Sequence, residues 1–312
     1  MSRPPLTVAV TGATGAQGGA TARALLAAGH HVRALTRDPA APTAEALRAL
    51  GAELCRADFD DRASLDAALA GADALFAVTT PFGTDTATEV RQGRTLVDAA
   101  AAADLGHVVF ASAAHADRAT GIPHYDSKYE IERHLAASDL PWTVIAPAAF
   151  MDNYADGWTL EGLRDDSFAW PMPSGVPLTL IPAADIGAFA ALALRRREEF
   201  AGRRIDIASD ALDPAAIARV LAEATGRPMA HQEVPLDVVR GHSADLAAMF
   251  AYFATHGLDV DVAALRRAYP EVGWHTFADW AATQDWTALL AAGRPAGETG
   301  TAVSAAEAPP RR

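Results

Sequence analysis

Three features of the 312-residue sequence predict a doubly wound α/β fold: a parallel Rossmann sheet with a smaller C-terminal α/β lobe for substrate. From Leu6 to Pro147 short apolar runs alternate with Ala-rich amphipathic segments. Parallel strands need long crossovers, so this alternation selects repeated βα units. A glycine-rich turn, TGATGAQGG, separates the first apolar run from the first helix. Half of the residues are hydrophobic, enough to bury a large core.

The strands in order are LTVAVT (6–11), HVRALT (31–36), AELCRA (52–57), ALFAVT (74–79), HVVFAS (107–112) and WTVIAP (142–147). Between them helices are predicted near 17–28, 43–50, 62–69, 86–104 and 124–138. Residues 148–176 are rich in aromatics, Gly and Pro without periodicity, which predicts a loop-rich cap. A helix over 183–200 and a strand over 203–209 follow. Asp213 and Pro214 form an N-cap and N1 pair for a helix reaching about Thr225. A strand near 230–234 then precedes helices over 236–256, 261–268 and 276–291. The organisation expected is a dinucleotide-binding domain (1–150), a substrate-binding lobe (151–292) interleaved with it, and a disordered tail (293–312) of small, polar and Pro/Gly-rich residues.

Charge and motif content exclude several functions. Asp and Glu number 39 against 26 Lys and Arg, a net charge of -13, and no Lys/Arg run tracks a phosphate backbone, so no nucleic-acid partner is expected. RRREE at 195–199 reads as a solvated helix end. The lone Cys55 cannot form an intrachain disulfide and reads as a structural thiol on a buried strand. No h-region and no apolar run of about 18 residues suggests export or spanning, so a cytoplasmic protein with no membrane partner is expected. The ten His show no HExxH spacing, and no Cys pair or GxSxG is present, so neither a metal site nor a hydrolase is expected.

Gly12, Gly15 and Gly18 form a GxxGxxG turn at the mouth of the first helix. Glycines permit positive φ, let backbone N–H groups approach a diphosphate and allow close helix–strand packing. Thr14, Ala16 and Gln17 complete the loop. At the end of the second strand Thr36 stands where NAD-selective sites place an acid, and Arg37 follows, its forked donors suited to the 2′-phosphate of NADP. Asp38 is the competing acid, placed to reach a ribose diol if the strand ran further. Asp58 and Phe59, past the third strand, fit the adenine contact; Asp58 reads equally well as the N-cap of the helix from Arg62. Thr79 and Thr80 end the fourth strand, where the backbone passes the adenosine ribose and diphosphate.

TGATGAQGG, Arg37, ADFDD (57–61), HYDSKYEIE (124–132) and PAAFMDN (147–153) together resemble the NmrA-like family of atypical short-chain dehydrogenases, over roughly residues 6–290. That family includes quinone reductases and NADP-sensing regulators. The resemblance implies NADP(H) as cofactor and a lysine at the position of Lys128 without the tyrosine acid of other short-chain dehydrogenases.

The spacing within HYDSKYE leaves the proton donor open. Many short-chain dehydrogenases place Tyr four residues before Lys, but here His124 holds that position and Tyr125 is three before Lys128. One residue of slip turns a helical side chain by about 100°. If Lys128 holds the nicotinamide ribose, His124 faces the usual proton-donor place, and His can deliver a proton near neutral pH. Tyr125 is the alternative donor; with Tyr129 it reads also as packing or rim. Ser112, 13 residues before Tyr125, ends the fifth strand and is either a cofactor-side hydroxyl or a local hydrogen-bonding group. Lys128 would otherwise be a helix-surface Lys paired with Glu132 at i+4. Phe150, Met151, Tyr154, Trp158, Phe168 and Trp170 concentrate aromatic and apolar surface after the sixth strand. They read either as a wall for a flat apolar substrate, Phe150 foremost, or as packing that joins cap to core.

The function expected is an NADP(H)-dependent oxidoreductase reducing a small apolar quinone, carbonyl or conjugated substrate, as a monomer or homodimer. The alternative is a non-catalytic NADP(H) sensor acting through a protein partner.

Overall fold

The computed structural model describes residues 4–291. The chain divides into two compact units: the first takes the chain up to Pro147, Ala183–Ile207 and Tyr269–Gly273, and the second Ala148–Pro182, Ala208–Ala268 and the chain from Trp274.

In the first unit the strands are β1 (Thr7–Val10), β2 (His31–Thr36), β3 (Glu53–Arg56), β4 (Ala74–Val78), β5 (His107–Ala111) and β6 (Trp142–Pro147). The helices between them are α1 (Ala16–Ala27), α2 (Pro42–Ala49), α3 (Arg62–Leu69), α4 (Thr86–Ala102) and α5 (Pro123–Ala136). The predicted strands and helices therefore stand within two residues of their expected bounds. Their ends follow from capping: Asp61 and Asp85 accept from Ser64 N and Thr88 N at the starts of α3 and α4, while Pro42 and Pro123 begin α2 and α5.

The sheet has seven strands rather than the six expected, because Arg203–Ile207 joins it beside β6. Its order is 203–207, β6, β5, β4, β1, β2, β3, with every neighbouring pair parallel. Val8, Ala9 and Val10 are wholly buried, as a central strand covered on both faces requires. The helix Ala183–Arg195 also belongs to this unit and packs on α1, where Gly187 lies so close to the Ala20 backbone that a Cβ there would come within 2.5 Å. The chain leaves this unit at Pro147, returns over Ala183–Ile207 to contribute the seventh strand, and returns again over Tyr269–Gly273.

The second unit corrects the expectation of a loop-rich cap. It holds short strands at Ala149–Phe150, Phe168–Trp170, Leu178–Ile181, Asp210–Leu212 and His231–Glu233, and a helix at Gly157–Arg164. Three helices expected to be continuous are broken: 183–200 at Arg196, 236–256 at Ser243, and 276–291 after Ala282. Ser243 is itself a cap, accepting from Leu246 N and so restarting the helix. The predicted tail, 293–312, lies outside the described residues.

Candidate functional site

All strands of the first sheet run the same way, so the segments that follow them lie along one edge. That edge collects the glycine loop after β1, Arg37 after β2, Asp58 and Phe59 after β3, Thr79 and Thr80 after β4, and Ser112 after β5. The strand order reverses between β1 and β4, the switch point where open α/β sheets leave a crevice. Thr11 locks its base: its hydroxyl donates to Val78 O (3.1 Å) and accepts from Val78 N (2.8 Å).

The glycine loop has the form an anion site needs. Gly12 adopts φ +57, and a Cβ at Gly18 would fall 2.3 Å from Gly12 O and 2.4 Å from Thr11 O, so the helix can start against the strand only without a side chain there. Gly15 caps α1 with no side-chain hydrogen bond and no acid in the first turn, leaving the amide donors of a twelve-residue helix open to a ligand. Gly12, Thr14, Gly15 and Ala16 are exposed, and the buried Oε1 of Gln17 has no hydrogen-bond partner among the described residues. An uncapped helix start, a cradle a Cβ would fill and an orphaned amide oxygen all fit a bound dinucleotide diphosphate.

Arg37 is exposed at the tip of β2. Its rival Asp38 is folded into the turn, accepting from Ala40 N at 2.9 Å. Asp61 takes the N-cap of α3, so Asp58 does not; Asp58 is half-buried, and its carboxylate accepts from Asp60 N at 3.0 Å. Phe59 packs against the core beneath it.

On α5, Lys128 does not pair with Glu132. Its ammonium donates to Glu89 Oε1 (2.7 Å) and to the carbonyl of Thr79 (3.0 Å), with the side chain 12% exposed and Glu89 fully buried. Thr79 Oγ1 (2.9 Å) and Ser127 Oγ (2.5 Å) donate to the same carboxylate. Glu89 was not legible in the sequence: it lies 39 residues before Lys128, and an acid in the first turn of a helix reads as a dipole partner. His124 is buried, its ring 5.7 Å from Phe82 and 4.8 Å, edge-on, from Tyr125. Phe82 itself is 64% exposed, the most open of the large apolar side chains. Tyr125 is buried with its ring against that of His124; Tyr129 is exposed.

Ser112 directly follows β5. Its hydroxyl donates to the buried Glu132, whose other oxygen accepts from Arg204 Nε at 2.9 Å. Arg204 also reaches Ala113 O (2.9 Å), Asp117 (3.3 Å) and Asp206. Burial holds the Glu132 carboxyl above its ordinary range, with Arg204 opposing that shift. This network fastens the segment after β5 to the seventh strand.

In the second unit Tyr154, Phe168 and Trp170 are buried among themselves and Phe250 and Phe277, with ring centroids 4.9–6.1 Å apart. They form that unit's own core rather than an open wall, and burial pushes the Tyr154 phenol up. Phe150 is half-buried and pairs in strand register with Ile181. Among the described residues no group of His, Cys, Asp and Glu could hold a metal ion, and no helix is long and apolar enough to cross a membrane.

Fold and site define a Rossmann-type protein of the dinucleotide-binding class. Comparison with known proteins narrows this. The model of the NmrA-like family matches residues 5–281, and the chain belongs to that family. It is 32% identical over 235 residues to a (4-alkanoyl-5-oxo-2,5-dihydrofuran-3-yl)methyl phosphate reductase of Streptomyces griseus, spanning 75% of this chain and 79% of that one. The crystal structure of NmrA, a negative transcriptional regulator, in complex with NAD matches with a TM-score of 0.76 at 22% identity, covering 91% of this chain and all of NmrA. The NADPH-dependent quinone oxidoreductase QOR2 of Escherichia coli, complexed with NADPH, matches at 0.72 and 25% identity, covering 88% and 98%. Oxidoreductases are thus among its sequence relatives, and its structural neighbours bind NAD, NADP or NADPH.

Proposed function

We propose that this protein is an NADP(H)-dependent oxidoreductase that reduces a small apolar quinone, carbonyl or conjugated compound. The observation that carries the reading is the sheet edge on which one unit assembles an uncapped helix start, Arg37 and a fixed Lys128 ammonium. Gly12, Gly15 and Gly18, with Thr14, Ala16 and Gln17, would hold the diphosphate. Arg37 would take the 2′-phosphate and Asp58 with Phe59 the adenine, while Thr79 and Thr80 would border the ribose. The nicotinamide supplies hydride when bound.

Lys128 would hold the nicotinamide ribose and set a positive charge beside the reacting oxygen, which stabilises negative charge developing there. His124, Tyr125 or water would deliver the proton. A quinone asks less of that acid than a ketone does, because a hydroquinone anion is comparatively stable. The open ring of Phe82 beside His124 suits a flat apolar partner. The S. griseus relative is named as a reductase and QOR2 as a quinone oxidoreductase, which agrees with this reading. The likeness to a transcriptional regulator supports the second reading, a sensor whose NADP(H) occupancy alters contact with a protein partner.

The test is fluorescence titration with NADPH and NADH, together with NADPH oxidation across a panel of quinones and ketones. NADPH is expected to bind at least about tenfold more tightly, the worth of one or two charge-assisted hydrogen bonds, and Arg37→Ala to cancel the preference. Equal binding of both nucleotides, unchanged by Arg37→Ala, would overturn the cofactor assignment. Tight NADPH binding with no turnover on any compound would leave the sensor.

A further inference from the structure

Glu89 is wholly buried, and its carboxylate contacts Lys128, Thr79 and Ser127. A carboxylate withdrawn from water persists only when donors surround it. Here Lys128 Nζ and Thr79 Oγ1 converge on Oε1, and Ser127 Oγ serves Oε2. An ammonium has three N–H bonds. Glu89 takes one and Thr79 O a second, at 2.7 and 3.0 Å, so the third is left for the opening through which Lys128 is 12% exposed. Thr79 stands at the end of β4, one side of the switch point, so Glu89 ties helix α5 to the strand that borders the crevice.

We propose that Glu89 is a positioning residue: its buried carboxylate holds the Lys128 ammonium in place and aims its one remaining donor at the bound nucleotide. The proposal rests on the assignment of Lys128 to cofactor binding. The other charged groups turned toward α5 are already matched elsewhere: Arg94 with Glu130, Asp98 with His134, and Asp117 and Glu132 with Arg204. His124 stands a turn earlier on the same helix, between Phe82 and Tyr125. Glu89 is therefore the anion in contact with the ammonium.

Glu89→Gln keeps the size and an acceptor but removes the charge. NADPH titration of the folded variant, verified by circular dichroism, should show binding about tenfold weaker near neutral pH, the loss of one charge-assisted contact. Glu89→Asp, which keeps the charge, should recover part of that affinity. A folded Glu89→Gln with wild-type affinity, while Lys128→Met binds weakly, would overturn the role of Glu89 and leave the cofactor reading standing. If Lys128→Met bound NADPH as the wild type does, that reading would fall and the proposal with it. Should Glu89→Gln not fold, Ser127→Ala decides, since it loosens the carboxylate without discharging it. Binding about threefold weaker supports the proposal, and unchanged binding overturns it.

Discussion

The three glycines of the loop look equivalent as a motif, but their surroundings separate them. A methyl group at Gly18 would strike the Gly12 and Thr11 carbonyl oxygens at 2.3 and 2.4 Å, backbone atoms that cannot step aside. At Gly15 the nearest atom is 3.4 Å away and φ is -98, open to any residue. Gly18→Ala is expected to cost about 2–3 kcal/mol and to impair nucleotide binding, while Gly15→Ala stays within about 1 kcal/mol, most of it lost N-cap preference. Thermal melts and NADPH titration of the two variants check this, and equal losses would contradict it. What the sequence showed here was local: the loop, Arg37 and Lys128 follow from spacing along the chain. The partner of Lys128 did not, because Glu89 meets it only through the packing of two helices. The slip of Tyr125 was visible too, but its consequence, a ring buried against His124, depends on where α5 faces.

Between elements, α4 and α5 form the joint that brings Glu89 to Lys128. Gly93 is four residues beyond Glu89 on α4, and Ile131 three beyond Lys128 on α5, so the two pairs occupy neighbouring turns of facing stripes. A Cβ at Gly93 would lie 2.4 Å from Ile131 Cδ1 and 2.6 Å from Cγ1, so the helices approach over a glycine. Gly93→Ala must push Ile131 aside or part the helices. The expected outcome is a loss of about 1–3 kcal/mol in urea unfolding and weaker NADPH binding. Adding Ile131→Val should recover part of both by clearing Cδ1 from the overlap. A variant as stable as the wild type would show that Ile131 moves freely and that the joint is loose. Elements of this kind were legible in the sequence where apolar periodicity was strong, as in the six strands up to Pro147. The short strands of the second unit were not, apart from His231–Glu233, since three residues such as Phe168–Trp170 carry too little alternation to separate from a loop. The seventh strand was read as a strand, but its seat beside β6 is a property of the whole sheet.

For the molecule as a whole, the sharpest consequence of this packing is a dependence of stability on pH. His107 begins β5 and is 2% exposed. Thr143 Oγ1 donates to Phe200 O (2.9 Å) and so accepts from His107 Nε2 (2.8 Å), which fixes the neutral tautomer with its proton on Nε2. His107 Nδ1 has no partner among the described residues, so a second proton would be buried without an acceptor. Burial above all, with Arg197 adding to it, lowers the folded pKa from 6.5 to about 4. The unfolded chain therefore binds the proton first. Stability from this group is complete above about pH 6.5 and is lost as pH falls toward 4, by about 3 kcal/mol in total. His30, lowered by burial and then by Arg195 and His31, acts with the same sign. Carboxylates titrate chiefly below about pH 5, so the interval from about 6.5 to 5.5 reports mainly the histidines. His107→Gln keeps a donor for Thr143 and removes the titration. Urea midpoints measured across that interval should fall for the wild type and fall less for His107→Gln, so that the two curves converge toward acid. Parallel curves would show that His107 is protonated in the folded protein.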